Sequence, residues 1–271
     1  MPRVAVVGNL ARDVVDHGAP SPGGCPFFAA EAFCRLGEDG QIVTRFAERD
    51  RDLFEPALTA LGAPVTILPA EATSGFSLDY EGEDRAMSVT AIGETWQPAD
   101  TAVLAPDTQW VHVAPLLRSD FPAATLAALS DGRRLSLDGQ GLVRAPHVGP
   151  LTTDADFDPA VLLSVTTLKL SEEEARIVAG GRFDGASATA LGVAEVLLTL
   201  GSHGAVVFAG GTDTFVPAAW PVLGVQTTGA GDVFMVAYAT SRSDGHEPVV
   251  AARNASMLVA EMLEERKHAA S

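Results

Sequence analysis

Thr227-Thr228-Gly229-Ala230-Gly231-Asp232-Val233-Phe234 is the most informative stretch of the chain. Two glycines separated by one small residue open the apolar helical stretch Val233–Ala239. Glycine at 229 and 231 admits unusual backbone angles and lets a ligand approach the main chain. Free N–H groups at a helix start, together with the helix dipole, make an anion site. Asp232 falls in the first turn, where negative charge is stabilised. It is expected to stay ionised at neutral pH, as a general base must. On the local pattern alone, an Asp at this place serves equally well as a helix cap. The stretch is neither a G-x-x-x-x-G-K-S/T phosphate loop nor a dinucleotide-type G-x-G-x-x-G.

Outward from this turn, short apolar runs alternate with amphipathic stretches. Strands are predicted at Val4–Val7, Ile42–Phe46, Val65–Leu68, Trp110–Val113, Leu135–Leu137, Thr167–Leu170, Val196–Leu200 and Ala205–Phe208. Helices are predicted at Phe27–Leu36, Arg51–Leu61, Phe121–Ser130, Glu172–Ala179, Gly231–Thr240 and Pro248–Glu265. This alternation predicts βαβ units and a mostly parallel sheet covered on both faces. Residues 73–92 break the pattern: two alternating runs flank a polar turn at Glu81-Gly82-Glu83-Asp84, the signature of a β-hairpin. It reads as a flap over the main domain, with residues 10–22 supplying a second piece.

The 271 residues suffice for one well-buried α/β domain, expected here over 1–271. Hydrophobic residues at 47%, charged residues at 20% and a mean hydropathy of +0.19 exclude a disordered or fibrous chain. No apolar run is long enough for a membrane span, and the N-terminus lacks the pattern of a signal peptide. A net charge of −17 argues against nucleic acid and anionic lipid as partners, so neither is expected. A small anion is still admissible, because screening limits that field to ~8 Å in physiological salt. Two cysteines, Cys25 and Cys34, cannot form a disulfide framework or a four-cysteine zinc site. They read as reduced core residues of a cytoplasmic protein. Lys169 is the one lysine predicted inside the fold, since Lys267 lies in the polar tail.

Further blocks make the pattern specific. Gly23-Gly24-Cys25-Pro26-Phe27-Phe28-Ala29-Ala30 precedes Arg35-Leu36-Gly37, and Asp138-Gly139-Gln140-Gly141 precedes Arg144. Lys169-Leu170-Ser171 leads into Glu172-Glu173-Glu174, and Thr199-Leu200-Gly201 into Gly204. In this order the blocks resemble the signatures of the ribokinase-like (PfkB) carbohydrate kinases, over nearly the whole chain. The D-x-Q-G-x-x-R stretch resembles that of a subgroup related to myo-inositol and nucleoside kinases. The resemblance implies a three-layer α/β/α fold with a small β lid at about 10–22 and 73–92. It implies phosphoryl transfer from ATP, with Mg²⁺, to a hydroxyl of a small polyol: an inositol, a nucleoside or a sugar.

Roles follow by position. Asp232 would take the proton of the attacking hydroxyl, and Gly229, Ala230 and Gly231 would form the anion hole. Asp13, Gly23 and Gly24 would bind substrate, with Arg85 on the flap and Arg144 meeting phosphate or substrate on closure. Lys169, Thr199, Gly201 and Asn254 would border the nucleotide, and Glu174 would organise Mg²⁺ through water. Two departures stand out. Gln226 replaces an Asp that helps hold a monovalent cation near the anion hole in many members, which puts potassium activation in doubt. Ser171 replaces an Asn, so contacts to water and Mg²⁺ differ there. An apolar flap face leaves room for a homodimer through the lid. A non-catalytic binding or regulatory protein on the same fold is the alternative, favoured by these two departures and opposed by the intact Gly229–Asp232 turn.

Overall fold

The computed structural model describes residues 3–62, 64–81 and 84–269, with only the backbone described at Leu61, Tyr80, Glu81, Asp84 and Arg85. The chain opens with β1 (Val4–Asn9), β2 (Ala11–Val15), β3 (Ser21–Gly23), α1 (Cys25–Leu36), β4 (Gln41–Ala47), α2 (Arg51–Leu61) and β5 (Val65–Ala70). A hairpin follows, β6 (Ser74–Glu81) and β7 (Asp84–Ala91), then β8 (Trp110–Ala114), α3 (Ala123–Ser130), β9 (Arg134–Asp138), α4 (Gln140–Val143) and β10 (Gly149–Pro150). The C-terminal half adds β11 (Thr167–Ser171), α5 (Glu172–Ala179), α6 (Gly185–Ala190), β12 (Glu195–Thr199), β13 (Gly204–Ala209), β14 (Thr212–Pro217), α7 (Ala230–Ser243) and α8 (Pro248–Ala269).

The main sheet runs β14-β13-β12-β11-β9-β8-β1-β4-β5. It is parallel from β12 to β5, and β13 and β14 join antiparallel. Side chains alternate across it as the strand period demands. Val4 and Val6 pack with α1, α7 and α8 on one face, while Ala5 and Val7 pack with α3, α5 and α6 on the other. The result is the predicted three-layer α/β/α sandwich. Every strand predicted from the periodicity is present, with β10, β14 and the short helices α4 and α6 added.

The second sheet runs β10-β7-β6-β2-β3 and joins both flap segments, 10–22 and 73–92, into one layer. Ala11, Phe76, Leu78 and Val89 from this sheet meet Leu116 and Leu117 of the main body in a small apolar cluster. No helix among the described residues is long and apolar enough to cross a membrane.

Helix α7 carries the diagnostic turn at its N-terminus and is held at its other end by a buried ionic network. Glu195, at the start of β12, accepts from Tyr238 Oη at 2.6 Å and from Thr167 Oγ1 at 2.9 Å, and it pairs with Arg242 Nη2 at 2.6 Å. The Glu195 and Arg242 side chains are 8% and 11% exposed, so removing one partner strands a buried charge. Glu195→Ala is expected to cost about 3–5 kcal/mol in urea unfolding. A loss below about 1 kcal/mol would mean that the network does not hold α7.

Candidate active site

The C-terminal ends of the parallel strands, where ligands bind in open α/β sheets, converge with the N-terminus of α7. Asp138 ends β9, and Lys169 stands beside it on β11 with Nζ 3.2 Å from both carboxylate oxygens. Burial pulls the Lys169 ammonium down, but Asp138, Glu174 and Asp232 outweigh it and hold it well above the ordinary lysine value. Asp232 is pushed up to about 7, first by burial and then by the Asp138 charge. Lys169, a hydrogen bond from the Cys25 thiol and Arg144 pull in the other direction. Asp232 is therefore about half protonated at neutral pH, which corrects the expectation of a fully ionised group. The dipole of α7 is outweighed by desolvation and a like charge.

The turn before α7 is tightly specified. Ala230 N–H donates to the Thr227 carbonyl at 3.0 Å, closing a four-residue turn. Gly229 sits at φ 80°, ψ −4°, and a Cβ there would come within 2.2 Å of the Phe28 ring. Only glycine satisfies both constraints. Among the described residues, no protein acceptor takes the Gly229, Gly231 or Asp232 N–H. Ala230 is thus removed from the expected anion hole, because its amide is spent inside the turn.

A cavity of about 750 Å³ lies over this turn, between the two sheets. It brings together Asp13, Gly24, Arg144, Lys169, Glu174, Gly229, Gly231 and Asp232. Gly23 is not part of its lining, and its role is steric: a Cβ there would sit 1.9 Å from Asp13 Oδ2. A second cavity of about 470 Å³ flanks the other side of the turn. Trp220, Val222, Leu223, Val259 and Leu263 give it an apolar wall, and Thr199 and Gly201 line its edge. Val225, Thr227 and Gly231 border both cavities.

A family model for pfkB family carbohydrate kinases matches residues 95–270. The chain belongs to this family. No curated protein matches it significantly in sequence. Among solved structures, a pyrophosphate-dependent kinase of the ribokinase family, complexed with a pyrophosphate analog and myo-inositol, superposes with a TM-score of 0.83. The match covers 96% of this chain and 95% of that one at 22% identity. Ribokinase from Thermotoga maritima gives 0.73 at 19% identity, covering 97% and 93%. The nucleoside kinase of Burkholderia thailandensis in complex with inosine gives 0.74 at 19%, covering 96% and 90%. At these identities the likeness shows the ribokinase-like fold. Family and fold make the protein a phosphotransferase acting on a hydroxyl group, and the non-catalytic alternative falls away.

In this pfkB-family kinase two further sequence-based assignments, at Asn254 and Cys34, need correction. Asn254 does not border the second cavity; it is exposed on α8 and donates to Ser241 at 3.0 Å. The face of α8 that lines the cavity carries Ser256, Val259, Ala260 and Leu263, a helical stripe on which Asn254 does not fall. Cys34 is exposed and only Cys25 is buried. Arg85 lies on β7, but its side chain is outside the described residues. Glu174 lines the cavity yet also completes a capping box: its Oε2 accepts from Ser171 N–H at 2.8 Å, while Ser171 Oγ accepts from Glu174 N–H at 3.2 Å. Ser171 is thus explained locally, as the cap of α5.

Among the described residues no group of three His, Cys, Asp or Glu side chains could hold a metal ion. The donor set fits an Mg²⁺ brought in on phosphates and kept mostly by water, with Glu173 and Glu174 at the rim.

Sequence reasoning missed two functional neighbours. Asp138 was visible in the D-x-Q-G-x-x-R stretch, but nothing local marks it as the partner of Lys169. The Cys25–Asp232 hydrogen bond spans most of the chain and had no signal.

The raised Asp232 value makes a pH prediction. A carboxyl that binds its proton more tightly when folded adds stability at low pH, which is lost as pH rises from about 4 towards 7. Asp232→Asn lacks this term. The thermal midpoint of the variant is expected to match wild type near pH 4, to exceed it increasingly up to about pH 7, and to keep a constant lead above. An equal difference at every pH would mean that Asp232 is not buried as described.

Proposed function

We propose that this kinase transfers the γ-phosphoryl group of ATP to a hydroxyl of a small polyol, of the inositol, nucleoside or sugar class. The observation that carries the reading is the pair of cavities meeting at Thr227 and Gly231, with Asp232 on the acceptor side. The apolar cavity suits a purine ring between Trp220 and Leu263, a feature that pyrophosphate alone would not require. The polar cavity offers the Asp13 carboxylate, which can accept from two adjacent hydroxyls at once. Phe27 and Phe28 after the glycine pair, and the Asp138–Arg144 stretch, favour an inositol or a nucleoside over ribose.

In this mechanism Asp232 accepts the proton of the attacking hydroxyl. A value near 7 suits a base that must be free at neutral pH yet take up a proton during the reaction. The Gly229 and Gly231 amides, with the α7 dipole and the Lys169 ammonium, face the charge that develops on the transferred group. Lys169 Nζ lies 3.4 Å from where a Gly231 Cβ would stand, so its charge is already at this turn. Mg²⁺ bound with ATP supplies further neutralisation of the phosphates. The second sheet acts as a lid whose Phe76, Leu78 and Met87 exclude water from the acceptor cavity.

Phosphorylation assays should pair MgATP, and separately magnesium pyrophosphate, with myo-inositol, inosine, adenosine, ribose and fructose. Turnover is expected with MgATP and with an inositol or nucleoside. Use of pyrophosphate alone would overturn the donor. Asp232→Asn is expected to lower kcat by at least ~10²-fold, and the acid limb of kcat/KM to bend near pH 7. Near-wild-type turnover in that variant would remove Asp232 from its role.

A further inference from the structure

The turn that presents the Gly229 amide is gripped from behind by an arginine of the last helix. Arg266 Nη1 donates to the Thr228 carbonyl at 2.8 Å. Its Nη2 donates to Glu31 Oε2 at 2.9 Å, and Arg35 holds the other oxygen of Glu31 at 3.0 Å. The fork is anchored rather than loose: the Arg266 and Glu31 side chains are 25% and 22% exposed. Glu31 lies one turn beyond Phe28 on α1, the residue whose ring closes over Gly229. Arg266 continues the face of α8 on which Val259 and Leu263 line the nucleotide-side cavity, at spacings of seven and three residues.

What this grip controls follows from peptide geometry. The turn Thr227–Ala230 carries its third residue, Gly229, at φ 80°, ψ −4°, the type II value. Types I and II differ chiefly by a flip of the central peptide, here the one joining Thr228 to Gly229. Glycine at the third position accepts either form, so Gly229 alone does not choose between them. A trans peptide points its C=O and N–H in opposite directions. With the Thr228 carbonyl held on the Arg266 side, the Gly229 N–H is directed away from it; a flip would reverse both.

We propose that Arg266 is the positioning residue of the anion hole: it locks the central peptide of the turn so that the Gly229 amide stays aimed at the phosphoryl group. The proposal rests on reading Gly229 and Gly231 as that hole.

The test uses the full-length enzyme, with MgATP and the polyol that it phosphorylates fastest. Arg266→Gln is expected to lower kcat at least about tenfold, short of the 10²–10³ seen when a donor is deleted outright, with the KM for the polyol within about twofold. Arg266→Lys should recover part of the loss, since an ammonium reaches the carbonyl but cannot bridge to Glu31 as a fork does. Millimolar guanidinium ion should partly restore Arg266→Ala. The Gly229 amide signal, sharp in the wild type, should broaden by exchange in Arg266→Gln. Wild-type kcat in Arg266→Gln overturns the proposal. So does a loss of kcat with a sharp Gly229 signal and no rescue by lysine or guanidinium, which would mean a merely structural role. Gly231→Ala separates the two levels: its methyl has room beside Lys169, and on the anion-hole reading it would stand where the transferred group must sit. If Gly231→Ala loses turnover while Arg266→Gln does not, Arg266 alone is discarded. If neither loses turnover, the anion-hole reading fails with it.

Discussion

A single buried ammonium sets the electrostatics of this molecule. Lys169 stands among Asp138, Asp232 and Glu174 in a chain with nearly twice as many acidic as basic residues. In a low-dielectric interior such charges interact far more strongly than on the surface. Without the ammonium, the Asp138 charge would act on the buried Asp232 with only the Cys25 hydrogen bond and Arg144 to offset it, and Asp232 would hold its proton more tightly still. With it, Asp138 is paired directly and Asp232 is left close to balance, near 7. That balance, rather than full ionisation, makes Asp232 a responsive group: a small change in nearby charge moves its proton.

The fold converts this local balance into a positioned site by fastening α7 at both ends. At its C-terminal end, Glu195 collects Tyr238 and Arg242 beneath the sheet. At its N-terminal end, the Phe28 ring and the Arg266 guanidinium confine the turn. The helix between them is almost wholly buried from Val233 to Ser241. Its first N–H groups therefore point where the sheet ends and the cavity begins, with little freedom to relax. Preorganisation of this kind is what electrostatic stabilisation of a transferred phosphoryl group demands.

Much of this was legible in the sequence because it is local. A glycine pair before an apolar helix announces its turn chemistry, and period-two apolar runs announce a buried parallel sheet. The α5 cap is written in Ser171-Glu172-Glu173-Glu174 as a capping box, although the resemblance drew attention to metal chemistry instead. What stayed hidden depends on contacts across long separations. The pull of Asp138 on Asp232, the Cys25 hydrogen bond and the Arg266 grip join residues far apart in the chain. The Asn254 assignment failed for a simpler reason. The resemblance places it beside the nucleotide, whereas the stripe through Ser256, Val259 and Leu263 marks the face of α8 that meets the cavity.

In the mechanism proposed for this kinase, the same electrostatics bear on how transfer would proceed behind a closed second sheet. An incoming phosphoryl group brings negative charge beside Asp232, which strengthens the hold of the carboxylate on a proton. The acceptor hydroxyl, as its oxygen bonds to phosphorus, loses its own proton more easily. The two changes run in one direction, so proton transfer becomes favourable as the bond forms rather than before it. A carboxylate with an ordinary value near 4 would be a weaker proton acceptor at that moment. Burial of Asp232, which costs stability at neutral pH, is on this view the feature that times the proton's departure to the arrival of phosphorus.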